Sequence, residues 1–544
     1  MQWNRPIQVN EVYKMLANWA PMKPEEAISL LDAKFPDERV RQYAVQRISQ
    51  LSDDDLALYM LQFAQALLYE EQHQSPLAEM LIERSLHNPY VVGHAFYWAL
   101  KSNLYLKVSY ERYYVLLEQF LMLCGKFKEE IWIQQKVNLA LKSVSEGVVH
   151  NRYGVKLPFS DVKEQARLQL RQERVNGVPF LFTMSIDPKI VIKDFDYESL
   201  TVFSSKKVPL CIKSLNQQPG GDAFTCIFKN GDDLRQDILT LQIIYIMDKI
   251  WLANDLDLAM TPYKVLGTDC EQGFLEFVAD CKTLAMIQYE RSVFSTFADD
   301  SIQRFMERHL RERHPEDWEA RLRKCRGTFI RSTAGYCVAS YILGLGDRHP
   351  DNIMINIEEG NFLHIDFGHF LGNVKKKFGI KRERDPFVFS KEIAYFVNGG
   401  PLSRDTARSS VKVARAFSEE EHKALSESLL TEENDAGLAD DSEMIDDALK
   451  SRSFKEFEDK CCQAYNILRK EGHQLINMFL IMLSAGMPEL KRDDDIQYMV
   501  NRLDLGISEQ EASNKFKKEI QKAMQTYSRR FDNFIHNIKA KYGK

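Results

Sequence analysis

The chain has 544 residues, 44% hydrophobic and 28% charged, an ordinary globular composition long enough for two to four domains that each bury a core. Its net charge of −6 argues against a nucleic-acid partner; no stretch reaches the roughly 18 consecutive apolar residues of a membrane span and the start reads as no secretory signal, so a cytoplasmic protein with only peripheral membrane contact is expected. Nine cysteines without a Cys-x-x-Cys pair, Cys461 and Cys462 alone being adjacent, read as reduced thiols with neither a disulfide framework nor a zinc site.

From about Pro24 to Gly125 apolar residues recur at helical spacing, as in Val40, Ala44, Ile48 and Leu51, or Leu56, Met60, Phe63 and Leu67. Pro36-Asp37, Ser52-Asp53 and Asn88-Pro89 mark the breaks. Amphipathic helices that bury a face only on their neighbours predict a helical solenoid over residues 1–150, followed by a charged, partly helical linker over 151–175. Gly177-Val178-Pro179 and Pro188 then announce strand-rich sequence, and residues 176–279 are expected to form a β-rich small lobe. Within it Phe224 to Lys229 is β-prone and Asn230-Gly231 ends it sharply. The acidic residues from Asp232 to Asp237 suit the N-terminal end of the apolar helix that follows. Lys229 is the candidate lysine for nucleotide phosphates, with Asp237 as its ion-pair partner.

Residues 280–544 are expected to form a helical large lobe, and Gly344 to Phe370 is the most informative stretch in it. Phosphoryl transfer needs divalent metal on the triphosphate and a group that aligns the attacking hydroxyl; kinases take the metal with a loop Asn and the Asp of a DFG motif. Here Asn352 and Asp366, the latter in Asp366-Phe367-Gly368, supply those ligands. Asp347 and His349, in Asp347-Arg348-His349, form the candidate base and orienting pair, in the reverse order from the protein-kinase His-Arg-Asp. Two short apolar runs around Glu358-Glu359-Gly360 predict a β-hairpin that brings Asn352 and Asp366 to one end. The architecture is therefore α+β, an α-helical solenoid followed by a two-lobed kinase-like domain that uses ATP and Mg2+.

After Asp366 come Lys375, Lys376, Lys377, Lys381, Arg382 and Arg384, six cations in ten residues. Their place in the activation loop, where the acceptor docks, suits phosphate recognition. An insert at 403–450 follows, with twelve acidic residues against one Lys between Glu419 and Asp447, a composition ill-suited to burying a core. From Lys515 to Lys544 nine cations meet two acids along an apolar stripe from Phe516 to Tyr542. That helix suits either an anionic membrane surface or packing on the large lobe.

These strings resemble the phosphoinositide 3-kinases, and within them the class I catalytic subunits: Ser204-Ser205-Lys206-Lys207-Val208-Pro209-Leu210, Ile227 to Asp237, the loop around Asp347, and His364 to His369. The resemblance covers nearly all of the chain except the insert. It implies Ser205 and Lys206 on a loop over the ATP phosphates, Tyr263 lining a pocket near Asp237, Glu276 and Val278 at an adenine-holding hinge, and Met354 and Ile365 beneath the ring. His369 and the basic loop would meet developing charge and a phosphoinositide headgroup at an anionic membrane. The two basic boxes resemble class I enzymes, which accept phosphatidylinositol 4,5-bisphosphate, whereas class III enzymes lack them; Asp385 to Gly400 also has a class II flavour. The chain departs from the pattern at Cys211, where the family has Trp, and at Pro350-Asp351, where class I has Asn-Ser. Adaptor-binding, Ras-binding and C2 domains, through which an adaptor or small GTPase would act, find no match in this sequence. Rival readings are a related protein Ser/Thr kinase, which the basic boxes disfavour, and a pseudokinase scaffold, which the filled catalytic positions disfavour.

Overall fold

Several helices of this chain begin where a short polar side chain satisfies the unpaired amides of a first turn. The computed structural model describes residues 3–18, 20–205, 207–289, 299–373, 376–377, 380–381, 387–402 and 450–525. Its first part contains α1 (Pro6–Asn18), α2 (Pro24–Ala27), α3 (Glu38–Ile48), α4 (Asp53–Leu58), α5 (Met60–Leu67), α6 (Pro76–His87), α7 (His94–Lys101), α8 (Tyr110–Leu123) and α9 (Phe127–Val149). The Asp37 carboxylate accepts from the amides of Arg39 and Val40, and the Ser52 and Ser75 hydroxyls from those of Asp55 and Ala78. The stripe Leu56, Met60, Phe63 and Leu67 is wholly buried, although Tyr59 divides it between two helices.

The chain separates into two compact units: residues 1–243, 263–278 and 473–496 in one, and 244–262, 279–472 and 497–544 in the other. In the first unit the expected linker is instead a helix, α10 (Phe159–Asn176). Its sequence is strongly charged, yet Val162, Ala166 and Leu170 recur every fourth residue and are buried, which is enough apolar stripe to dock it. They share one core with Val137, Leu141, Val144 and Val148 of α9 and with the sheet residues Phe182, Ile192, Leu210, Phe228 and Phe274.

That sheet comprises β1 (Phe182–Met184), β2 (Asp187–Phe195), β3 (Thr201–Val202), β4 (Leu210–Asn216), β5 (Phe224–Asn230), β6 (Val265–Asp269) and β7 (Gln272–Glu276). Its order is β1-β2-β4-β5-β7-β6, with β3 beside β4 and every pair antiparallel. Buried polar pairs tie α9 to β1: Gln134 accepts from Trp98 Nε1 and donates to Thr183, each at 3.1 Å, and Ser185 donates to Asn138 at 2.7 Å. Helices α9 and α10 and the sheet therefore share one hydrophobic centre. Helix α11 (Arg235–Ala253) follows β5, and the boundary between the units falls within it.

The second unit contains β8 (Cys281–Thr283), α12 (Leu284–Tyr289), α13 (Ser301–Arg313), α14 (Trp318–Leu343), β9 (Ile353–Asn356), β10 (Phe362–His364), the ribbon β11 (Lys376–Lys377) and β12 (Ile380–Lys381), α15 (Lys391–Asn398) and α16 (Arg452–Lys470). Then come α17 (Gly472–Met482), nearly all of which belongs to the first unit, and α18 (Asp493–Leu503) and α19 (Glu509–Gln525). An aromatic core joins Phe329, Phe362, Phe396 and Tyr336 on one side of α14, and Tyr341, Phe387, Tyr465 and Phe516 on the other. Phe516, Ile520 and Met524 are buried, so the first part of the basic C-terminal stripe is core, in a helix that starts at Glu509 rather than Lys515. Residues 526–544, and the acidic insert from 403 to 449, lie outside the described residues.

Candidate active site

Helix α14 ends at Gly344, whose φ of +58° only glycine adopts at no cost. The chain reverses there and is bonded to the segment that follows the DFG motif. Leu371 N donates to Leu343 O at 2.7 Å, Gly372 N to Gly344 O at 3.1 Å, and Gly346 N to His369 O at 2.9 Å. A Cβ on Gly344 or on Gly372 would overlap the ring of Tyr498, so two glycines let the loop after α14 and the segment after Asp366-Phe367-Gly368 lie side by side.

Asp347 and Asp366 both carry left-handed backbone, φ +55° and +59°, a conformation Asp adopts more readily than most residues and one that stores strain at functional sites. The buried guanidinium of Arg348 holds this arrangement. Its Nε donates to Gly346 O at 2.8 Å, its Nη1 to Ile365 O at 2.7 Å, and its Nη2 to Asp366 O, while the group lies 5.4 Å from the Phe367 ring. One side chain thus fixes the carbonyls before Asp347 and at Asp366.

The predicted hairpin is present. Phe362, Leu363 and His364 pair with Ile355, Met354 and Ile353, and Gly360 turns the chain at φ +86°. Ile365 N donates to Asn352 O at 3.1 Å, which places Asn352 and Asp366 at the same end. Asn352 is buried, and its Nδ2 donates to Asp347 O at 2.9 Å, so its Oδ1 is turned the other way. Asp366 is exposed to solvent; an amide oxygen and a carboxylate are donors of the kind a hard cation takes. Among the described residues no three His, Cys, Asp or Glu converge on a metal position; magnesium that shares phosphates and water needs only one or two protein ligands.

His349 is half-buried, its Nδ1 3.8 Å from Asp351 Oδ2. His369 is also half-buried. His364, by contrast, is buried between the rings of Tyr336 and Phe362, 5.3 and 5.2 Å away. Met354 and Ile365 are half-buried at the hairpin's β9 and post-β10 positions. The opposite end of the hairpin is held by Glu358. It meets His309 and His314 at 3.0 Å each and also Arg313. Burial alone would raise its pKa, but those hydrogen bonds and the Arg313 charge bring it below the ordinary carboxylate value. Of the basic loop, the backbone register sets Lys376 opposite Lys381 and Lys377 opposite Ile380; Lys375, Arg382 and Arg384 lie outside the described residues.

In the first unit Lys229 lies on β5 opposite Gly273 of β7. A Cβ on Gly273 would overlap the Leu266 carbonyl and the Leu234 side chain, so glycine permits the close approach of β6 and of the chain entering α11. Lys229 Nζ lies 3.1 Å from Asp232 Oδ2. Asp237, which sequence reasoning named, is buried in the first turn of α11; Asp232 is a partner it did not name. That residue is pinned where it stands: Gly231 N and Asp232 N both donate to Glu271 O, at 2.7 and 2.8 Å. Glu276 Oε2 accepts from Lys264 N at 2.9 Å while Glu276 N donates to Lys264 O at 2.8 Å. That reciprocal pair shapes the strand end leading to the half-buried Val278. Tyr263 is buried.

Ser205 sits in the turn between β3 and β4, where Val208 N donates to Ser205 O at 3.1 Å and Val208 itself has φ +42°, a rare conformation for a β-branched residue. Lys206 lies outside the described residues. Cys211 is half-buried, and burial pushes its thiol up to about 11. Arg348 and Gly273 were also missed from the sequence. A glycine inside a strand was the one available signal, since nothing local marks an arginine that will be buried.

Comparison with known proteins gives two family matches: the accessory (PIK) domain of the phosphoinositide 3-kinase family over residues 1–132, and phosphatidylinositol 3- and 4-kinase over residues 223–440. The chain is 36% identical over 538 residues to phosphatidylinositol 3-kinase 2 of Dictyostelium discoideum, covering 98% of this chain and 26% of that protein. It is 33% identical over 538 residues to the human phosphatidylinositol 3-kinase C2 domain-containing subunit gamma, 97% of this chain and 32% of that protein. It is 34% identical over 536 residues to the human phosphatidylinositol 4-phosphate 3-kinase C2 domain-containing subunit beta, 97% and 29%. The chain thus spans about a quarter to a third of the length of the relatives it matches.

Proposed function

From a chain that joins a phosphoinositide 3-kinase accessory domain to a phosphatidylinositol 3- and 4-kinase catalytic domain, we propose a lipid kinase that moves the γ-phosphate of ATP to the inositol 3-hydroxyl of a phosphoinositide. The observation that carries the reading is the end of the β9–β10 hairpin, where the Asn352 carbonyl side and Asp366 share one end with the Asp347–His349 loop. Asn352 and Asp366 would hold magnesium, which neutralises the triphosphate when bound. His349 would take or orient the hydroxyl proton with Asp347. His369 would meet the charge that develops on the transferred group. Lys229 would hold ATP phosphates together with Ser205 and Lys206, while Asp237, Tyr263, Glu276, Val278, Met354 and Ile365 would line the nucleotide.

For the substrate, the six cations among residues 375–384 support a headgroup with phosphates beyond the bridging one, since Lys meets phosphate as a point charge and Arg through forked donors. That favours phosphatidylinositol 4,5-bisphosphate. A second reading, phosphatidylinositol 4-phosphate, is favoured by the relative whose name specifies that lipid. Among the described residues no helix is long and apolar enough to cross a membrane, so recruitment to the lipid would be peripheral.

The test is a vesicle assay with labelled ATP and magnesium on phosphatidylinositol, its 4-phosphate and its 4,5-bisphosphate, with the label's ring position determined. Label at position 3 supports the reading, and the best substrate separates its two forms. Absence of lipid product alongside phosphorylated protein overturns it.

A further inference from the structure

Residues 473–496 lie in the sequence between α16 and α18, but they fold with the first unit and are held there at two places. On the helical side Gln474 Nε2 donates to Tyr59 Oη at 3.0 Å, and Tyr69 Oη donates to Ile481 O at 2.7 Å. Ser484 Oγ lies 2.5 Å from Tyr69 Oη and accepts from Gln65 Nε2 at 3.3 Å. On the other side Ala485 O accepts from Arg235 Nη1 at 3.0 Å and Gly486 O from Nη2 at 3.5 Å; Gln236 Nε2 donates to Glu489 Oε2 at 3.3 Å. Gly486 turns the chain at φ +70°, and Met487 bridges to Leu490. The Arg235 fork is itself aimed by Asp233, with Nε 3.0 Å from Oδ1 and Nη2 2.7 Å from Oδ2. Those hydrogen bonds, with the Asp233 charge behind them, raise the arginine's pKa against the opposing effect of burial.

Ser484, Ala485 and Gly486 are consecutive, so the end held by Tyr69 and the end held by Arg235 move together. Arg235 and Gln236 immediately precede Asp237 in the first turn of α11 and closely follow Asp232, the partner of Lys229. First turns have amides without intrahelical partners and fray unless tied down. Charge-assisted bonds from a guanidinium to fixed carbonyls are the stronger kind of tie.

We propose that residues 484–489 are a strut that sets the position of the α11 N-terminus. Arg235 is then a positioning residue for ATP, and Tyr69 of the helical region anchors the strut's far end. The inference rests on the reading that Lys229 and Asp237 face ATP. It adds a route by which the accessory helices set nucleotide affinity.

The test uses the whole chain with Arg235→Met, Arg235→Lys, Tyr69→Phe, the double variant R235M/Y69F, and Lys229→Met as control. Binding of a fluorescent ATP analogue, the KM for ATP, kcat on lipid vesicles and Tm are measured for each. R235M is expected to raise the ATP KM and analogue Kd about tenfold with kcat within about twofold, R235K to recover part of that, and Y69F to raise KM about threefold. The double variant should be no worse than R235M alone, because both act through one strut. Should R235M fold poorly, R235K and Y69F still read the coupling. Wild-type ATP binding in R235K and Y69F, with binding lost in K229M, overturns the strut. Multiplicative effects in the double variant remove Tyr69 from it. Unchanged binding in K229M instead overturns the ATP reading of β5, and the strut's role with it.

Discussion

The β5–β7 ladder of the first unit and the Gly344–Phe370 loop of the second hold their candidate site residues by opposite means. Lys229 sits in regular antiparallel register, and its surroundings depend on a missing side chain at Gly273 opposite. Asp347 and Asp366 sit on irregular, left-handed backbone that one buried arginine ties together. A ladder distributes its hold over many equivalent bonds. A strained loop concentrates it in a few. Substitution of the loop's solvent-facing carboxylate should therefore separate activity from stability, whereas substitution of the arginine that ties the loop, or of the ladder, should change both.

The largest separation is expected at Asp366. Asn tolerates left-handed backbone nearly as well as Asp does, so Asp366→Asn should keep Tm within about 1–2 °C while turnover falls by about three orders of magnitude. A comparable fall in Tm would mean that the carboxylate is structural. Arg348→Met comes next. It leaves three main-chain carbonyls without their donor, which should cost about 3–5 kcal/mol of unfolding free energy in denaturant titration and lower kcat about a hundredfold. If kcat survived, the metal loop would be held by its backbone bonds alone.

In the ladder, Gly273→Ala should cost about 2–4 kcal/mol, since backbone rather than a mobile side chain stands in the way. Loss of nucleotide affinity should accompany it, because β6, β7 and the entry to α11 shift together. Wild-type affinity in a destabilised G273A protein would contradict the link between register and site.

The smallest effect is a matter of pH. Burial, helped by the Asp257 charge, raises Asp248 from 3.8 to about 6. Unfolded, that group ionises above about 4; folded, it resists until about 6. Stability therefore falls as pH rises through that window and stays lower above it. Asp248 is only partly buried and its charge is screened, so Asp248→Asn should gain only about 1 kcal/mol at pH 7 and nothing below about pH 4. In the first unit burial has the opposite sign at a base, lowering His94 from 6.5 to about 4. The unfolded chain gains that proton first, so stability there falls as pH drops from about 6.5 toward 4. Urea titrations from pH 4 to 8 on D248N and wild type resolve the two contributions.

The amino-acid order alone determined whatever depends on neighbours a few residues apart. The Asn352 to Asp366 spacing, the Glu358-Glu359-Gly360 turn, the caps at Asp37 and Ser52, and the sharp end of β5 at Gly231 all follow from short-range backbone geometry and local side-chain bonding. Tertiary structure decided what depends on which distant surfaces meet. It made residues 159–176 a docked helix rather than a linker, because Val162, Ala166 and Leu170 found α9 and the sheet. It set Asp232 against Lys229 by way of the Glu271 carbonyl, folded residues 473–496 into the first unit, and turned Arg348 inward on three carbonyls. The physical reason is that local propensity costs little to express and is set before folding. A buried guanidinium or a lone apolar stripe, by contrast, is stable only when a particular partner surface arrives to satisfy it.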